Sequence, residues 1–68
     1  MSSRDVGKLI RELRTRQGIS QERLAQKARL SRIYIAKLEA GERASPSLPA
    51  LQRIADALGA KLKIDLVQ

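Results

Sequence analysis

Four stretches of the chain carry apolar residues at the spacing of an amphipathic helix. In the first stretch these residues lie three and four positions apart, as they do along one face of an α-helix. They are Val6, Leu9, Ile10 and Leu13. Ser2 or Ser3 can cap the amino end, and Gly18 can supply a left-handed stop. The pattern therefore predicts a first helix over roughly residues 4 to 16.

Two shorter helices are predicted next, with only about three residues between them. Ser20 is placed to cap the second helix, which is expected to end near Ala28 or Arg29. Ser31 is placed to cap the third helix, and Gly41 closes it. The inward residues are Leu24, Ala25 and Ala28 in the second helix and Ile35 and Leu38 in the third. The two helices are thus joined by a tight turn.

The last third of the chain predicts a fourth helix and then a change of period. Ser47 can cap this helix with Pro49 in its first turn, and Gly59 can end it. Its apolar stripe is Leu51, Ile54, Ala55 and Leu58. In the tail, Leu62, Ile64 and Leu66 alternate with Lys61, Lys63 and Asp65. Alternation favours a half-buried strand over about residues 61 to 67, but the four-residue spacing of Leu62 and Leu66 leaves a fifth helix open.

The composition agrees with a mainly all-α fold. The chain holds ten Leu, six Ile, two Val and nine Ala but a single aromatic residue, Tyr34, and this aliphatic mixture suits helices better than sheets. A chain of 68 residues has room for one core, so residues 1–68 are expected to form one domain. The starting Met1 favours a complete gene product.

The net charge points to a polyanionic partner. Fourteen Lys and Arg against seven Asp and Glu give a net charge of +7. Residues 1 to 43 hold eleven basic and five acidic side chains, whereas residues 44 to 68 hold three and two. An excess this large suits nucleic acid or an anionic membrane, and its location indicates that the first two thirds of the chain meet the polyanion.

Several function classes are excluded or disfavoured by what the sequence lacks. With no Cys and no His, it offers no thiol nucleophile, structural zinc site, haem ligand or imidazole base. The carboxylates and lysines of the sequence do not form a paired arrangement that could take over the catalytic roles of Cys and His. We therefore expect no enzyme activity, no metal and no cofactor. No apolar run approaches the roughly 18 residues that span a bilayer, and no secretory signal begins the chain. This indicates a cytoplasmic protein.

The pattern at about residues 20–39 is typical of a DNA-binding helix-turn-helix motif. It consists of two short helices joined by a tight turn, and the second helix lies on a basic surface. The residues that carry a family resemblance are Ser20-Gln21-Glu22-Arg23-Leu24-Ala25-Gln26-Lys27-Ala28, Leu30-Ser31, Ile35 and Leu38-Glu39-Ala40-Gly41. This pattern resembles the Cro/CI-type (XRE) family of phage and bacterial repressors. The flanking helices also resemble that family, so the likeness covers about residues 4 to 59. It implies a lambda-repressor-like array of four helices.

The resemblance implies that the third helix lies in the major groove of double-stranded DNA. The expected DNA-contacting residues are Gln21, Ser31, Arg32, Ile33, Tyr34, Lys37 and Arg43. The resemblance itself implies that Ser31, Arg32, Ile33 and Lys37 lie where the family contacts bases or nearby phosphates. Arg32 is the best candidate for base reading, because its guanidinium can donate two hydrogen bonds to guanine. Lys37 can reach a base or a phosphate. Gln21 can hold a phosphate at the start of the second helix, and the resemblance adds that it can brace Arg32.

Three of these residues have structural alternatives. Ile33 can contact a thymine methyl group, or it can pack at the edge of the second helix. Tyr34 can donate its hydroxyl group to the DNA backbone or simply pack. Arg43 can lean toward the minor groove or remain solvated.

The resemblance has structural implications at three further positions, which are Arg14, Glu39 and Arg29. In the resembling family, Arg14 and Glu39 form an ion pair between the first helix and the end of the third. The chain departs from the family at Arg29, where glycine is usual because the backbone tends to be left-handed. A side chain there costs on the order of 1 kcal/mol.

The predicted function is that of a transcriptional regulator of bacterial or phage type. It is expected to repress by occupying a palindromic operator as a homodimer, with the tail strand pairing with its copy through Leu62, Ile64 and Leu66. Two alternatives remain: an antitoxin that represses its own operon and binds a toxin, or a controller of a restriction-modification operon. A co-purifying small toxin would favour the antitoxin.

Overall fold

The computed structural model describes residues 3–42 and 46–62, which form four α-helices. They are α1 (Ser3–Arg16), α2 (Gln21–Ala28), α3 (Arg32–Glu39) and α4 (Leu48–Ala57). The four helices predicted from the sequence are therefore confirmed. In the described ranges no helix is long and apolar enough to cross a membrane.

The strand predicted over residues 61–67 falls mostly outside the described residues, as do Ile64 and Leu66. Lys61 and Leu62 are described and lie in neither a helix nor a strand.

Serine hydroxyl groups cap three of the helices as the sequence predicts. Ser20 accepts a hydrogen bond from the backbone N–H of Arg23 at 3.0 Å, and Ser47 accepts one from Ala50 at 3.2 Å. Ser31 caps α3 in the same way. Each hydroxyl group satisfies a backbone donor that has no partner inside its own helix. Local sequence thus fixes where α2, α3 and α4 begin.

The turn between α2 and α3 keeps its left-handed geometry despite the side chain at Arg29. Arg29 has φ 59° and ψ 43°, and the N–H of Leu30 donates to the carbonyl of Ala25 at 2.9 Å. Leu30 then packs against the core. The strain of about 1 kcal/mol at a left-handed arginine is therefore tolerated rather than relieved by a different turn.

The core lies between all four helices. Its buried members are Ile10, Leu24, Ala25, Ala28, Ile35, Leu38, Ile54 and Leu58. Four side chains in the described part of the chain are both large and fully buried: Leu24, Ile35, Leu38 and Ile54. Because Ile35 and Leu38 belong to α3, the core fixes which face of α3 is turned to solvent.

The prediction that Leu9 belongs to the buried stripe of α1 is wrong, because this side chain is 45% exposed. At about 100° per residue, the buried face of α1 is centred on Ile10 and extends to Gly7 and Arg14 on the side away from Leu9. Glycine and arginine do not register as apolar positions, so the sequence pattern places the centre of the stripe too close to Leu9. Leu9 instead lines an apolar groove between α1 and α4 of about 310 Å³.

Candidate nucleic-acid interface

One face of α3 is turned away from the core and carries three of the predicted DNA-contacting residues. Ile35 and Leu38 are fully buried, and at about 100° per residue the opposite direction lies closest to Ile33, with Ala36 and Lys37 on either side of it. Arg32 and Lys37 are exposed, and Ile33 is 63% exposed. The structure therefore brings Arg32, Ile33 and Lys37 together on one solvent-facing surface, which we call the α3 outer face.

Ser31 and Tyr34 lie beside this face in different settings. The hydroxyl oxygen of Ser31 accepts a hydrogen bond from the backbone N–H of Tyr34 at 3.0 Å. Its hydroxyl proton can still be donated to a phosphate. Tyr34 is half-buried and packs against the core cluster, which corresponds to the packing alternative. Arg43 lies outside the described residues.

Gln21, the first residue of α2, is held by the end of α3. Its side-chain amide donates a hydrogen bond to Glu39 Oε1 at 3.2 Å. No hydrogen bond joins Gln21 to Arg32 among the described residues, so the bracing that the resemblance implies is directed to Glu39 instead. The start of α2, where backbone N–H groups favour an anion, is thereby fixed relative to α3.

The expected ion pair between Arg14 and Glu39 is present and bidentate. Arg14 Nε lies 2.7 Å from Glu39 Oε2, and Nη2 lies 2.9 Å from Oε1. Arg14 Nη1 also donates to the carbonyl of Ile19 at 2.8 Å. The side chains of Arg14 and Glu39 are 12% and 3% exposed, so the pair is largely removed from water. It ties α1, the loop before α2 and the end of α3 into one unit.

The environment of Arg14 favours its charged form. The hydrogen bond to Glu39 raises the pKa of the guanidinium, burial opposes this rise, and the charge of Glu39 adds to it. A raised pKa in the folded state adds stability that is fully present below the ordinary arginine value and is lost only as the pH passes above it. Arg14 therefore stays charged and contributes fully at neutral pH.

Sequence reasoning missed two residues of this region. Arg11 lines a cleft of about 250 Å³ beside the ion pair, together with Gln21 and with Ala36 of α3. Its three-residue spacing from Arg14 was the available signal, because such residues share a helix face. The structure places Arg11 in the lining of the same cleft as Gln21.

Gly7 is the second missed residue. A Cβ atom on Gly7 would overlap the carbonyl oxygen of Leu38 and lie 2.9 Å from the carbonyl carbon of that residue. Glycine here lets α1 approach the end of α3 closely. An isolated glycine inside a helical pattern was the signal, because it lowers helix stability unless packing requires it.

Comparisons with known proteins agree with this geometry. The sequence pattern of the helix-turn-helix family matches residues 10–64. The immunity repressor protein of Bacillus phage phi105 is 44% identical over 54 residues, which are 79% of this chain and 37% of that protein. The chain thus spans well under half the length of that repressor.

A solved structure is similar over nearly its whole length. It is the crystal structure of the restriction-modification controller protein C.AhdI from Aeromonas hydrophila, with a TM-score of 0.83 and 39% identity. The match covers 87% of this chain and 88% of the controller. Family pattern, sequence and fold agree over most of the chain, and the protein therefore belongs to the XRE-type helix-turn-helix family of DNA-binding transcriptional regulators.

Proposed function

We propose that the chain is a sequence-specific double-stranded DNA-binding repressor that occupies a palindromic operator as a homodimer. The α3 outer face carries this proposal. The major groove is wide enough to admit an α-helix, and it displays a distinct pattern of donors and acceptors for each base pair. Arg32 and Lys37 supply donors on a helix whose opposite side is fixed in the core.

Phosphate contacts would set the orientation of α3 in the groove. Gln21 and Ser31 lie at the starts of α2 and α3, where backbone N–H groups and the helix dipole favour a phosphate. Arg11 and Arg43 are the cations that we place on the flanking backbone. These contacts position the protein without reading sequence, so specificity rests on the α3 outer face. Repression by occupancy needs no cofactor and no catalysis.

Arg32→Ala is expected to relax one position of the operator. A bidentate contact from arginine to guanine discriminates against the wrong base by about 1 to 3 kcal/mol. Selection from a random duplex library at moderate salt should give a palindromic consensus for the native protein. In the Arg32→Ala selection, one guanine of each half-site should lose its preference while the rest of the consensus remains.

Arg16→Ala is the matched control, because it removes the same charge from an exposed position outside α3. It should weaken binding across all sequences and leave the consensus intact. The native protein could instead bind DNA in a way that depends on salt concentration and yields no consensus sequence. That result would show that its basic surface binds DNA non-specifically.

The proposed dimer uses the apolar groove between α1 and α4 and the tail that follows it. Leu62 lines this groove, and Leu9 is 45% exposed at it. Contiguous apolar surface of this kind marks interaction sites on small proteins. Ile64 and Leu66 continue the alternating pattern from Leu62, so antiparallel pairing of two tails would add apolar side chains beside the groove.

Removal of residues 61–68 is expected to convert the dimer into a monomer. The full chain and the shortened chain would be compared by sedimentation at the same concentration, with helical content measured by circular dichroism. Leu62→Glu in the full chain is the companion variant, since it places a charge in the groove without shortening the tail. A shortened chain that is helical and still dimeric would place the interface elsewhere.

Control of a restriction-modification operon is the second candidate function. The similarity to C.AhdI covers 88% of the controller, whereas the similarity to the phage repressor covers 37% of that protein. Both functions would use the same α3 outer face and differ in the genes that are regulated. A selected consensus found upstream of restriction-modification genes would favour the controller.

A further inference from the structure

Ile33 is a large apolar side chain in the middle of a polar surface. It is 63% exposed, and it lies between Arg32 and Lys37 on the α3 outer face. At this exposure the side chain is not buried against α2. Burial in the core therefore does not explain an isoleucine at this position.

The direction of Ile33 follows from the residues that hold α3 in the core. Among the residues of α3, Ile33 points most directly away from the buried Ile35 and Leu38. Ile33 belongs to the first turn of α3, and the first residues of a recognition helix are those that meet base edges. Ala36 is the neighbour one turn later, and its small side chain leaves space beside Ile33.

The chemistry of the major groove offers one favourable partner for such a side chain. Base edges there are donors and acceptors, and covering them with an apolar group without replacing their hydrogen bonds is unfavourable. The exception is the 5-methyl group of thymine, which projects into the groove. Methylation of cytosine at C5 places the same group at the same ring position.

We propose that Ile33 binds the 5-methyl group of a major-groove pyrimidine, thymine or 5-methylcytosine, in each half-site. This inference rests on the proposed function and adds the chemical group that is read. It follows that cytosine methylation at this position strengthens binding, so that occupancy of a suitable DNA site responds to methylation. Removal of one methyl group should lower affinity about fourfold, and removal from both half-sites should lower it about fifteenfold.

The first experiment deletes the methyl group and nothing else. Each thymine of the selected operator is replaced in turn by uracil in both half-sites, and dissociation constants are measured for the native protein and for Ile33→Ala. We expect one uracil position to cost the native protein about fifteenfold, and to cost Ile33→Ala little. Leu48→Ala is the matched control, because Leu48 is 59% exposed but lies on α4, and it should respond to uracil as the native protein does.

The second experiment separates the two sources of the methyl group. The responding thymine is replaced by cytosine or by 5-methylcytosine, each paired with guanine, so that these two duplexes differ only in the methyl group. We expect the native protein to prefer the methylated duplex, and Ile33→Ala to bind both equally. A response to uracil without a response to 5-methylcytosine would identify thymine as the source and overturn the link to DNA methylation.

The two levels of the proposal fail in different ways. Absence of any consensus would overturn the proposed function. A clear consensus in which no uracil substitution separates the native protein from Ile33→Ala would overturn this inference alone. Ile33→Ala should retain the native melting temperature because the side chain is exposed, so a loss of methyl discrimination is not a loss of folding.

Discussion

Replacing Glu39 with alanine is expected to lower the free energy of unfolding by about 3 to 5 kcal/mol. Glu39 is 3% exposed, and both of its carboxylate oxygens bind Arg14. Removing the carboxylate leaves a guanidinium that is 12% exposed without a counterion, and it also removes the acceptor of Gln21. A domain of this size gains only a few kcal/mol from folding, so thermal melting should show a large fraction unfolded near room temperature.

Glu12→Ala is the matched control for this prediction, because Glu12 is an exposed glutamate in α1. The free energy of unfolding of this variant, taken from its melting curve, should lie within about 0.5 kcal/mol of the native value. DNA sequences selected by the Glu39→Ala molecules that remain folded should show the same base preferences as those selected by the native protein. The reason is that Glu39 is not on the α3 outer face. A melting temperature for Glu39→Ala close to that of Glu12→Ala would show that the ion pair contributes little to stability.

The helices were predictable because their limits are set by local chemistry. Ser20, Ser31 and Ser47 cap them through their own hydroxyl groups, and this requires no knowledge of the tertiary fold. The left-handed backbone at Arg29 was also expected from the motif. Leu9 was misplaced because the face that α1 buries is decided by its contact with α3, which the apolar pattern of one helix does not contain.

In the candidate site, too, some features were predictable from the local sequence and others depend on the tertiary fold. Arg32, Ile33 and Lys37 were assigned to one face from helical periodicity and from the two buried residues of α3. The partner of Gln21 could not be derived, because Glu39 lies 18 residues away and meets it only in the folded chain. Arg11 was missed for the same reason, since its neighbours in the cleft come from α2 and α3. Helical periodicity therefore predicts which residues share a helix face, whereas tertiary packing decides which residues of different helices come into contact.

Gly7→Ala is expected to destabilise the fold by about 3 kcal/mol, the upper part of the usual range for overpacking. The added methyl group would overlap the carbonyl oxygen of Leu38, and Glu39 Cα would lie 3.1 Å from it. Both obstacles are backbone atoms, so no side-chain rotation relieves the overlap and α1 must move away from α3. That movement would also lengthen the contacts between Arg14 and Glu39, which depend on the same approach.

Gly18→Ala separates steric overlap from backbone strain. Gly18 has φ +72°, and a Cβ atom added to it would meet nothing within 4 Å, so alanine there should cost only about 1 kcal/mol. Alanine in place of Gly7 gains about 1 kcal/mol of intrinsic helix propensity, which opposes the predicted loss. Chemical denaturation of the two variants compares these effects directly. Gly7→Ala as stable as the native protein would mean that α1 can shift along α3 at no cost, and the close approach would then not be required for the fold.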